Sequence, residues 1–486
     1  MVDVLRFSND ILLIIFRHYV DTSPPSWFIL AHVCRDWRQI IFTSPLGLQL
    51  RLHCAYGTPV LKNLHYWPPL PLVVNYGGFP TQPPPSPEDE DNIMAALEQS
   101  DRVRSISLTV SSPLLKKLST ISKPFSELEE LVILPQSKAQ LTLPSAFWWG
   151  HRLRTLHSTR IAFPTLPQLL LPSQDLVDIQ LNEIPGVGYF SPEAFANALS
   201  GMTQLQTLSL HFLSSTPRRN YLSLPPPPGD RVVLPALAHF KYRGTSKYLD
   251  SLVARIDTPH LGDIDITFFS QPTLDASQLG LFINRIEMWR SPLRAGILSS
   301  GGAISVSFTQ PGTITRFALQ ISCEQLDWQL FSISQICGQF SSFLFSVEDL
   351  TIMTAGPSSV PDDIDDEQWL RLIRAFDGAK YFRVASELAT DISHALRLAD
   401  EAHKIVLPAL RTLYVQEPVS TDGPLWDSAK SFVTQHQLSS LPVQIYLQRH
   451  SGEESTPVGM MWRHRSHVSL AFTHLSRPFS SYPPGA

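Results

Sequence analysis

The sequence predicts an α/β protein in which a small N-terminal helical domain precedes an irregular repeat solenoid built on a parallel sheet. Three observations lead to this prediction. An unbroken apolar run, Ile11–Phe16, directly follows a Ser-Asn-Asp triplet of the kind that starts helices. A motif of the form L-x-x-L-x-L begins at positions 103, 128, 153, 176, 205, 237 and 261, at nearly regular spacing. Between these motifs lie segments with the apolar spacing of amphipathic helices.

The composition excludes several classes of protein. With 486 residues, 43% of them hydrophobic and 17% charged, the chain can bury a substantial core. Its formal net charge of −5 provides no basic surface of the kind that nucleic acid requires, so we expect no nucleic-acid partner. The N-terminal apolar run is much shorter than the about 20 residues of a membrane-spanning helix, so we expect no membrane partner.

The cysteines favour an intracellular location. They are too few and too scattered for a disulfide framework, and they contain no CxxC pair to begin a zinc site. Their positions are Cys34, Cys54, Cys323 and Cys337. We therefore expect a reducing compartment, cytoplasmic and/or nuclear.

The apolar run predicts a helix from about Asn9 to Val20. Ser8 and Asn9 carry the short oxygen side chains that cap helix starts. The apolar residues cover nearly the whole circumference of this helix, although a helix packed on one core needs only one apolar stripe. We therefore expect the helix to be buried on two sides, the second against another protein.

A second amphipathic helix is predicted within "SWFILAHVCRDWRQIIFTSP", where apolar residues recur at three- and four-residue spacing. Pro45 ends it. These helices and the following "LGLQLRL" make up a predicted helical domain at residues 1–55. So small a domain cannot bury all of its apolar surface by itself.

These residues resemble an F-box. The stretch "NDILLIIFRHYV" followed by "LAHVCRDWRQIIFTSP" is similar to that family's Leu-Pro-x-Glu-Ile-Leu opening, Val-Cys-Arg-x-Trp-Arg block and Ser-Pro ending, over roughly residues 5–55. Ser8 stands in place of the family's proline, and Gly47-Leu48 stands where Leu-Trp is commoner.

The resemblance implies a partner. F-boxes give one helical face to the Skp adaptor of a cullin ubiquitin ligase, which would account for an apolar helix with two buried sides. By this resemblance, the residues expected to contact Skp are Phe7, Ile11, Leu12, Ile15, Phe16, Val33, Cys34, Trp37 and Pro45. The alternative is that residues 1–55 only cap the end of a larger core.

The rest of the chain divides into three predicted segments. Residues 56–100 connect the helical domain to the repeats and include "FPTQPPPSPEDEDN", whose prolines and acids predict a solvated loop. Residues 101–447 carry the repeat motifs. Residues 448–486 lack periodicity and are predicted to be an irregular tail.

The repeats resemble leucine-rich repeats. Their spacing predicts one helix and one parallel strand per step, with further motif copies at Val347 and Leu410. The usual Asn or Cys of the repeat turn is missing, so the repeat is degenerate, as in the F-box proteins of mushroom-type fungi that this chain resembles. The period blurs between about 266 and 346, although "ITRFALQI" could supply a strand there.

Strand alternation predicts where a target would bind. The leucines of each motif point into the core, so the third and fifth positions lie on the opposite, concave face of the sheet. These residues are mostly small and polar with mixed charge, which favours a protein target. The candidate substrate-binding residues are His239, Lys241, Asp263, Asp265 and Tyr414. The alternative is that a helix or the tail covers this face.

Catalytic patterns are weak. The sequence has no phosphate loop, no G-x-S-x-G elbow, no H-E-x-x-H and no Gly-rich dinucleotide turn. His464 and His467 fit a solvated tail, and the acidic group from Asp362 to Asp366 fits a helix start. We therefore expect no enzyme activity, no cofactor and no metal ion.

Together these patterns predict a substrate-receptor subunit of an SCF-type (Skp-cullin-F-box) ubiquitin ligase. Skp would dock on the N-terminal helices, and the repeat region would bind an unknown protein substrate. The alternative is a non-catalytic repeat scaffold whose F-box-like segment is only a structural cap.

Overall fold

The computed structural model divides the chain into two compact units. Unit 1 comprises Met1–Ser223 and Val232–Leu237, and unit 2 comprises Leu224–Arg231 and Ala238–Ala486. The residues that the structure describes are 7–22, 27–45, 48–66, 69–77, 85–121, 123–138, 140–143, 150–163, 165–214, 230–290, 293–313, 315–323, 326–355, 366–385, 388, 391–392, 394–395, 406–417, 444–449, 458–461 and 469–471.

Unit 1 combines helices with a parallel sheet. Its helices are α1 (Asn9–Thr22), α2 (Trp27–Val33), α3 (Arg35–Thr43), α4 (Val60–Tyr66), α5 (Pro87–Leu97), α6 (Ser112–Leu118), α7 (Leu166–Leu170) and α8 (Pro192–Leu199), with a 3-10 turn at Gly186–Gly188. Its strands are β1 (Leu52–Ala55), β2 (Leu72–Tyr76), β3 (Val103–Val110), β4 (Glu130–Pro135), β5 (Leu141–Thr142), β6 (Thr155–Thr159), β7 (Ile161–Ala162), β8 (Asp178–Ile184), β9 (Thr207–Phe212) and β10 (Val232–Val233). The main sheet runs β1-β2-β3-β4-β6-β8-β9, and each of these pairings is parallel.

Unit 2 contains a larger sheet that is parallel over most of its width. Its helices are α9 (Ser246–Val253), α10 (Ser277–Arg285), α11 (Leu326–Gln339), α12 (Ser341–Leu344) and α13 (Asp366–Arg374), with a 3-10 turn at Glu287–Arg290. Its strands are β11 (His239–Gly244), β12 (Ile256–Asp257), β13 (Asp263–Phe268), β14 (Leu293–Ser300), β15 (Ala303–Thr309), β16 (Arg316–Ser322), β17 (Val347–Ala355), β18 (Tyr381–Val384), β19 (Thr412–Glu417), β20 (Gln444–Arg449), β21 (Val458–Met461) and β22 (Ser469–Ala471). The sheet runs β11-β13-β16-β15-β14-β17-β18-β19-β20-β21-β22.

The predicted repeat motifs coincide with strands. Every motif copy begins at the first residue of a strand or two residues before it, and the strands concerned are β3, β4, β6, β8, β9, β11, β13, β17 and β19. In β11, for example, Phe240 and Tyr242 are buried, whereas Lys241 between them is exposed. The α/β class with a mostly parallel sheet is confirmed; the solenoid remains a prediction.

The blurred period between about 266 and 346 has a structural cause. Strands β14 and β15 form an antiparallel hairpin, and β16 returns antiparallel to β15. These three strands follow one another without an intervening helix, and they fill the space between β13 and β17 in the sheet. Three consecutive strands without helices cannot carry a strand-plus-helix repeat, although "ITRFALQI" does supply β16.

Three boundaries differ from the sequence prediction. The parallel sheet starts at β1, inside the predicted helical domain, and continues with β2 in the predicted connecting segment. The acidic run after Pro87 is the first turn of α5, because Ser86 and Asp89 form a capping box at its start. The predicted irregular tail contains the short antiparallel strands β21 and β22, whereas His464 and His467 lie outside the described residues.

The predicted second helix is two helices. Cys34 has extended backbone, with φ −156° and ψ 172°, and separates α2 from α3. Its sulfur accepts the backbone N–H of Trp37 at 3.4 Å, which caps α3. Arg38 joins the two helices by donating from Nε to the carbonyl oxygen of Ala31 at 2.8 Å. The periodic apolar pattern is compatible with a break because the cap replaces the helical hydrogen bonds lost there.

The first helix agrees with its prediction. Helix α1 spans Asn9–Thr22, and the carbonyl oxygen of Ser8 accepts the backbone N–H of Leu12 at 3.0 Å. Over the described ranges, neither this helix nor any other combines the length and apolarity needed to cross a membrane.

Asp250 of α9 holds the start of α10. Its Oδ1 accepts the backbone N–H groups of Gln278 and Leu279 at 2.7 and 3.0 Å. Burial raises the pKa of this carboxyl from 3.8 to about 6, with Asp275 adding to the rise and the two N–H donors opposing it. The folded protein therefore holds this proton more tightly than the unfolded chain does.

We expect the stability of unit 2 to fall with rising pH through this group. Because the folded pKa exceeds the unfolded one, the contribution is full below about pH 4 and is lost as the pH rises through about 6. Asp250→Asn keeps an acceptor for the N–H groups and removes the titration. The urea midpoint of the wild type, relative to that of the variant, should fall between about pH 4 and pH 7. A difference that stays constant over this range would contradict the assignment.

Candidate protein-binding surfaces

Helix α1 has a buried inner face. Leu12, Phe16 and Val20 follow one another at four-residue steps, which places them on one side of the helix, and all three are buried. The ring of Phe16 packs against Trp37 of α3, with 4.7 Å between ring centroids. This face supplies the core of the N-terminal helices.

The opposite face of α1 is apolar and exposed. Ile14 is 70% exposed, and Ile11 and Ile15 are each nearly half exposed. Full burial of a completely exposed isoleucine contributes roughly 1.5–3 kcal/mol, so a partner that covered these partly exposed side chains would gain a corresponding fraction from each. The two-sided character predicted from the sequence is therefore present, with the second side open in this chain.

Helix α2 repeats the arrangement. Trp27 is buried, and its Nε1 donates to the carbonyl oxygen of Arg51 at 2.7 Å, which fastens the helix to the segment entering β1. Phe28, Ile29 and Val33 are exposed, Val33 by 56%. Helices α1 and α2 contact each other, so both exposed apolar strips belong to one small helical cluster.

The nine residues predicted to contact Skp fall into three groups. Phe7, Ile11, Ile15 and Val33 are exposed. Cys34, Trp37 and Pro45 are half-buried. Leu12 and Phe16 are buried, and for these two the predicted partner-facing position is corrected, because they fill the contact between the helices instead.

Sequence reasoning missed three exposed apolar residues of the N-terminal helices. Ile14, Phe28 and Ile29 match no fixed position of the F-box pattern, so the resemblance did not select them. Their signal was available in the spacing: once Leu12, Phe16 and Val20 define the inner side of α1, Ile14 must lie on the other side.

The five predicted substrate-binding residues do not all lie together. His239 and Lys241 on β11 are register neighbours of Asp263 and Asp265 on β13, and His239 Nδ1 lies 3.4 Å from Asp263 Oδ2. Tyr414 is on β19, six strand spacings from β13, or about 29 Å. The inserted strands β14–β16 account for much of this separation.

The outer sheet face of unit 1 carries acids that are already bonded to neighbours. Ser105 Oγ donates to Glu130 Oε2 at 2.8 Å. Asp178 Oδ2 lies 2.8 Å from His157 Nε2, and Gln180 donates to both oxygens of Asp178. These cross-strand pairs stabilise the sheet. Because the carboxylates already interact with neighbouring side chains, they attract a charged partner only modestly.

Two buried thiols and one cleft among the described residues are candidate reactive sites. Burial raises the pKa of the Cys54 and Cys337 thiols to about 12, which keeps both protonated at neutral pH. A cleft of about 640 Å³ in unit 2 is lined by Ser270, Gln271, Pro272, Gly302, Ser322, Cys323 and Trp328, and this set contains no histidine or carboxylate to act as a base. Across the described ranges, no three His, Cys, Asp or Glu side chains are grouped to hold a metal ion.

Comparison of the chain with protein-family models and with curated proteins gives no match.

Proposed function

We propose that this chain is a substrate-receptor subunit of an SCF-type ubiquitin ligase, which docks the Skp adaptor through its N-terminal helices and holds a target protein on its sheet. The observation that carries the proposal is the exposed apolar surface of α1 and α2. Single exposed apolar residues are ordinary, but several on two packed short helices are typical of a protein interface.

The order of the sequence features supports the same proposal. The apolar helix, the "VCRDWR" block and the Ser-Pro ending follow one another as in the F-box pattern. The block contributes Cys34, which caps α3, and Trp37, which packs on Phe16. Residues of the motif thus hold the helices together, while the apolar residues between them remain free for an adaptor.

One observation favours the alternative of a repeat scaffold with a structural cap. The bond from Trp27 to Arg51, together with buried Leu48 and Leu50, ties the helices to the start of the sheet. A cap would need this attachment. It would not need Ile14, Phe28, Ile29 and Val33 on the surface, and for that reason we favour the adaptor-docking proposal.

The test is capture of the Skp adaptor and cullin by the full-length chain. We expect Ile14→Asp combined with Ile15→Asp to reduce capture at least tenfold, because two carboxylates would have to be desolvated in the contact. The circular dichroism spectrum should stay unchanged, since both side chains are exposed.

A matched control separates docking from general surface damage. Leu61→Asp combined with Leu171→Asp adds the same two charges at exposed leucines outside α1–α3, and should leave capture intact. If the double Ile variant loses helical signal, Ile14→Ala with Ile15→Ala replaces it in the assay. Unchanged capture by a folded variant would reject the proposal in favour of the cap.

A further inference from the structure

The middle of the unit 2 sheet differs from the surface predicted for substrate. Strands β16, β15, β14, β17 and β18 lie side by side there, and their outward residues form rows across the strands. One row runs Arg316, Thr309, Arg294, Asp349 and Tyr381 in direct register. This row is rich in arginine.

The arginines exceed the carboxylates that face them. Arg383 Nη1 donates to both oxygens of Asp349, at 2.6 and 2.8 Å, and Arg294 Nε lies 3.8 Å from the same carboxylate. One negative charge therefore faces two positive ones. Arg316 is exposed and lies in register with Asp263 of β13, but it makes no ion pair with the part of the chain that the structure describes. Arg294, Arg316, Arg383 and Asp349 together carry a formal charge of +2, or +1 when Asp263 is included.

The neighbouring strands β11 and β13 are electrically balanced by comparison. Lys241 of β11 is in register with Asp265 of β13 and His239 with Asp263, whereas Arg243 faces Thr267. These two strands therefore carry two cations, Lys241 and Arg243, and two carboxylates. An acidic partner would gain little there. Charge complementarity thus favours the β14–β18 surface over the one selected from the sequence.

An apolar pair lies on the same face, four residues further along the strands than Arg294 and Asp349. Leu298 of β14 and Met353 of β17 are register partners, and both are more than a third exposed. Between them and Arg294 stand Gly296 and Thr351, whose side chains are absent or short. The charged row and the apolar pair can therefore be reached by one ligand.

We infer that the outer face of β14–β18 binds an extended acidic segment of a target protein in which acidic and aliphatic residues alternate. In an extended chain successive side chains point to opposite sides, so acids would meet Arg294, Arg316 and Arg383 while aliphatic residues meet Leu298 and Met353. The inference rests on the proposed function, because it names the class of target that the receptor holds.

The width of the surface sets the length of the ligand. From β16 to β18 there are four strand spacings, about 19 Å, which an extended segment of about six residues spans. The probe is therefore a fluorescent peptide of about eight residues alternating Asp and Leu, titrated with the full-length chain. Peptides with Asn in place of Asp, or Ser in place of Leu, are the ligand controls.

The expected result is saturable binding of the Asp-Leu peptide that weakens at least tenfold with Arg294→Glu and about fivefold with Leu298→Ser. Both control peptides should bind at least fivefold more weakly than the probe. Arg243→Glu is the matched protein control. It makes the same charge change on the same sheet face about 19 Å away from β14, beyond the screening length at physiological salt, and should change affinity less than twofold.

Asp349→Asn distinguishes a binding surface from a merely structural ion pair, because loss of a structural ion pair would not raise the affinity for the peptide. This nearly isosteric change removes the carboxylate that occupies Arg294 and Arg383, so the affinity for the acidic peptide should rise at least threefold. A decrease, or no change, would overturn the inference. So would equal binding of the Asn peptide, or self-association of the chain that the peptide does not displace. If the wild-type chain captures Skp but does not bind the peptide, this inference alone is rejected, whereas a wild-type chain that does not capture Skp would reject the proposed function.

Discussion

Replacing Phe16 with alanine is expected to unfold the N-terminal helices. The ring is completely buried and packs on Trp37, so its removal leaves a cavity between α1 and α3. Truncation of a buried phenylalanine costs about 3–5 kcal/mol, which is large for a cluster of three short helices. Amide hydrogen exchange should show loss of protection over residues 9–43, and Skp capture should be lost with it.

The control for this variant lies on the same helix. Ile14→Ala removes an exposed side chain and should change stability by less than about 0.5 kcal/mol, while weakening Skp capture. Strands β3, β4 and β6 should keep their protection in both variants. If Phe16→Ala leaves exchange in α1 unchanged, the packing of Phe16 on Trp37 does not hold these helices together.

Local patterns predicted many elements well. The apolar run after Ser8 placed α1 correctly, within two residues at its end. A similar short hydroxyl residue, Ser191, caps α8, its Oγ accepting the backbone N–H of Ala194. The leucine motifs located nine strands. These elements depend on residues close in sequence, namely a cap, a periodic stripe or an alternating strand, so the sequence contains the information directly.

Long-range pairing was harder to predict. Strand β13 pairs with β16 rather than with β14, the strand that follows it, because the chain passes two sheet positions before it turns back. No local pattern in the residues of β13 specifies this choice. The distance between Tyr414 and Asp263 was unpredictable for the same reason, since no local pattern gives the number of strands that separate them in the sheet.

In the candidate sites, too, some features were predictable from local sequence and others depended on long-range packing. Which side of α1 faces outward followed from spacing, but the choice between Ile14 and Leu12 as partner-facing required knowing where α3 packs. The convergence of Arg294 and Arg383 on Asp349 joins residues from three strands of different sequence regions. Only the register of the assembled sheet brings them together.

Gly378→Ala is expected to destabilise unit 2 by about 3 kcal/mol or more. A Cβ at this position would lie well inside van der Waals contact with the carbonyl oxygen of Phe345, and 3.1 Å from the carbonyl carbon of the same residue. Both atoms belong to the backbone just before β17, so no side-chain rotation relieves the overlap. Overpacking that must be absorbed by the backbone reaches the upper end of the usual range of about 1–3 kcal/mol or exceeds it.

Gly338→Ala is the control for Gly378→Ala, because we expect it to increase stability rather than decrease it. Gly338 lies within α11, and outside its own stretch of helix no heavy atom comes within 4 Å of the position that an alanine methyl group would occupy. Gly338→Ala should therefore stabilise the helix by about 0.5–1 kcal/mol. Urea unfolding of both variants, followed by hydrogen exchange in β17 and β18, measures the contrast.

The loss of stability in Gly378→Ala should be localised. Because Lys380 joins the turn after Gly378 to Glu348 at 2.5 Å, this variant should also lose hydrogen-exchange protection at the start of β18. Gly338→Ala should keep that protection, since its new methyl group meets no neighbouring element. Equal stability of the two variants would mean that the approach of Gly378 to Phe345 is not part of the folded state.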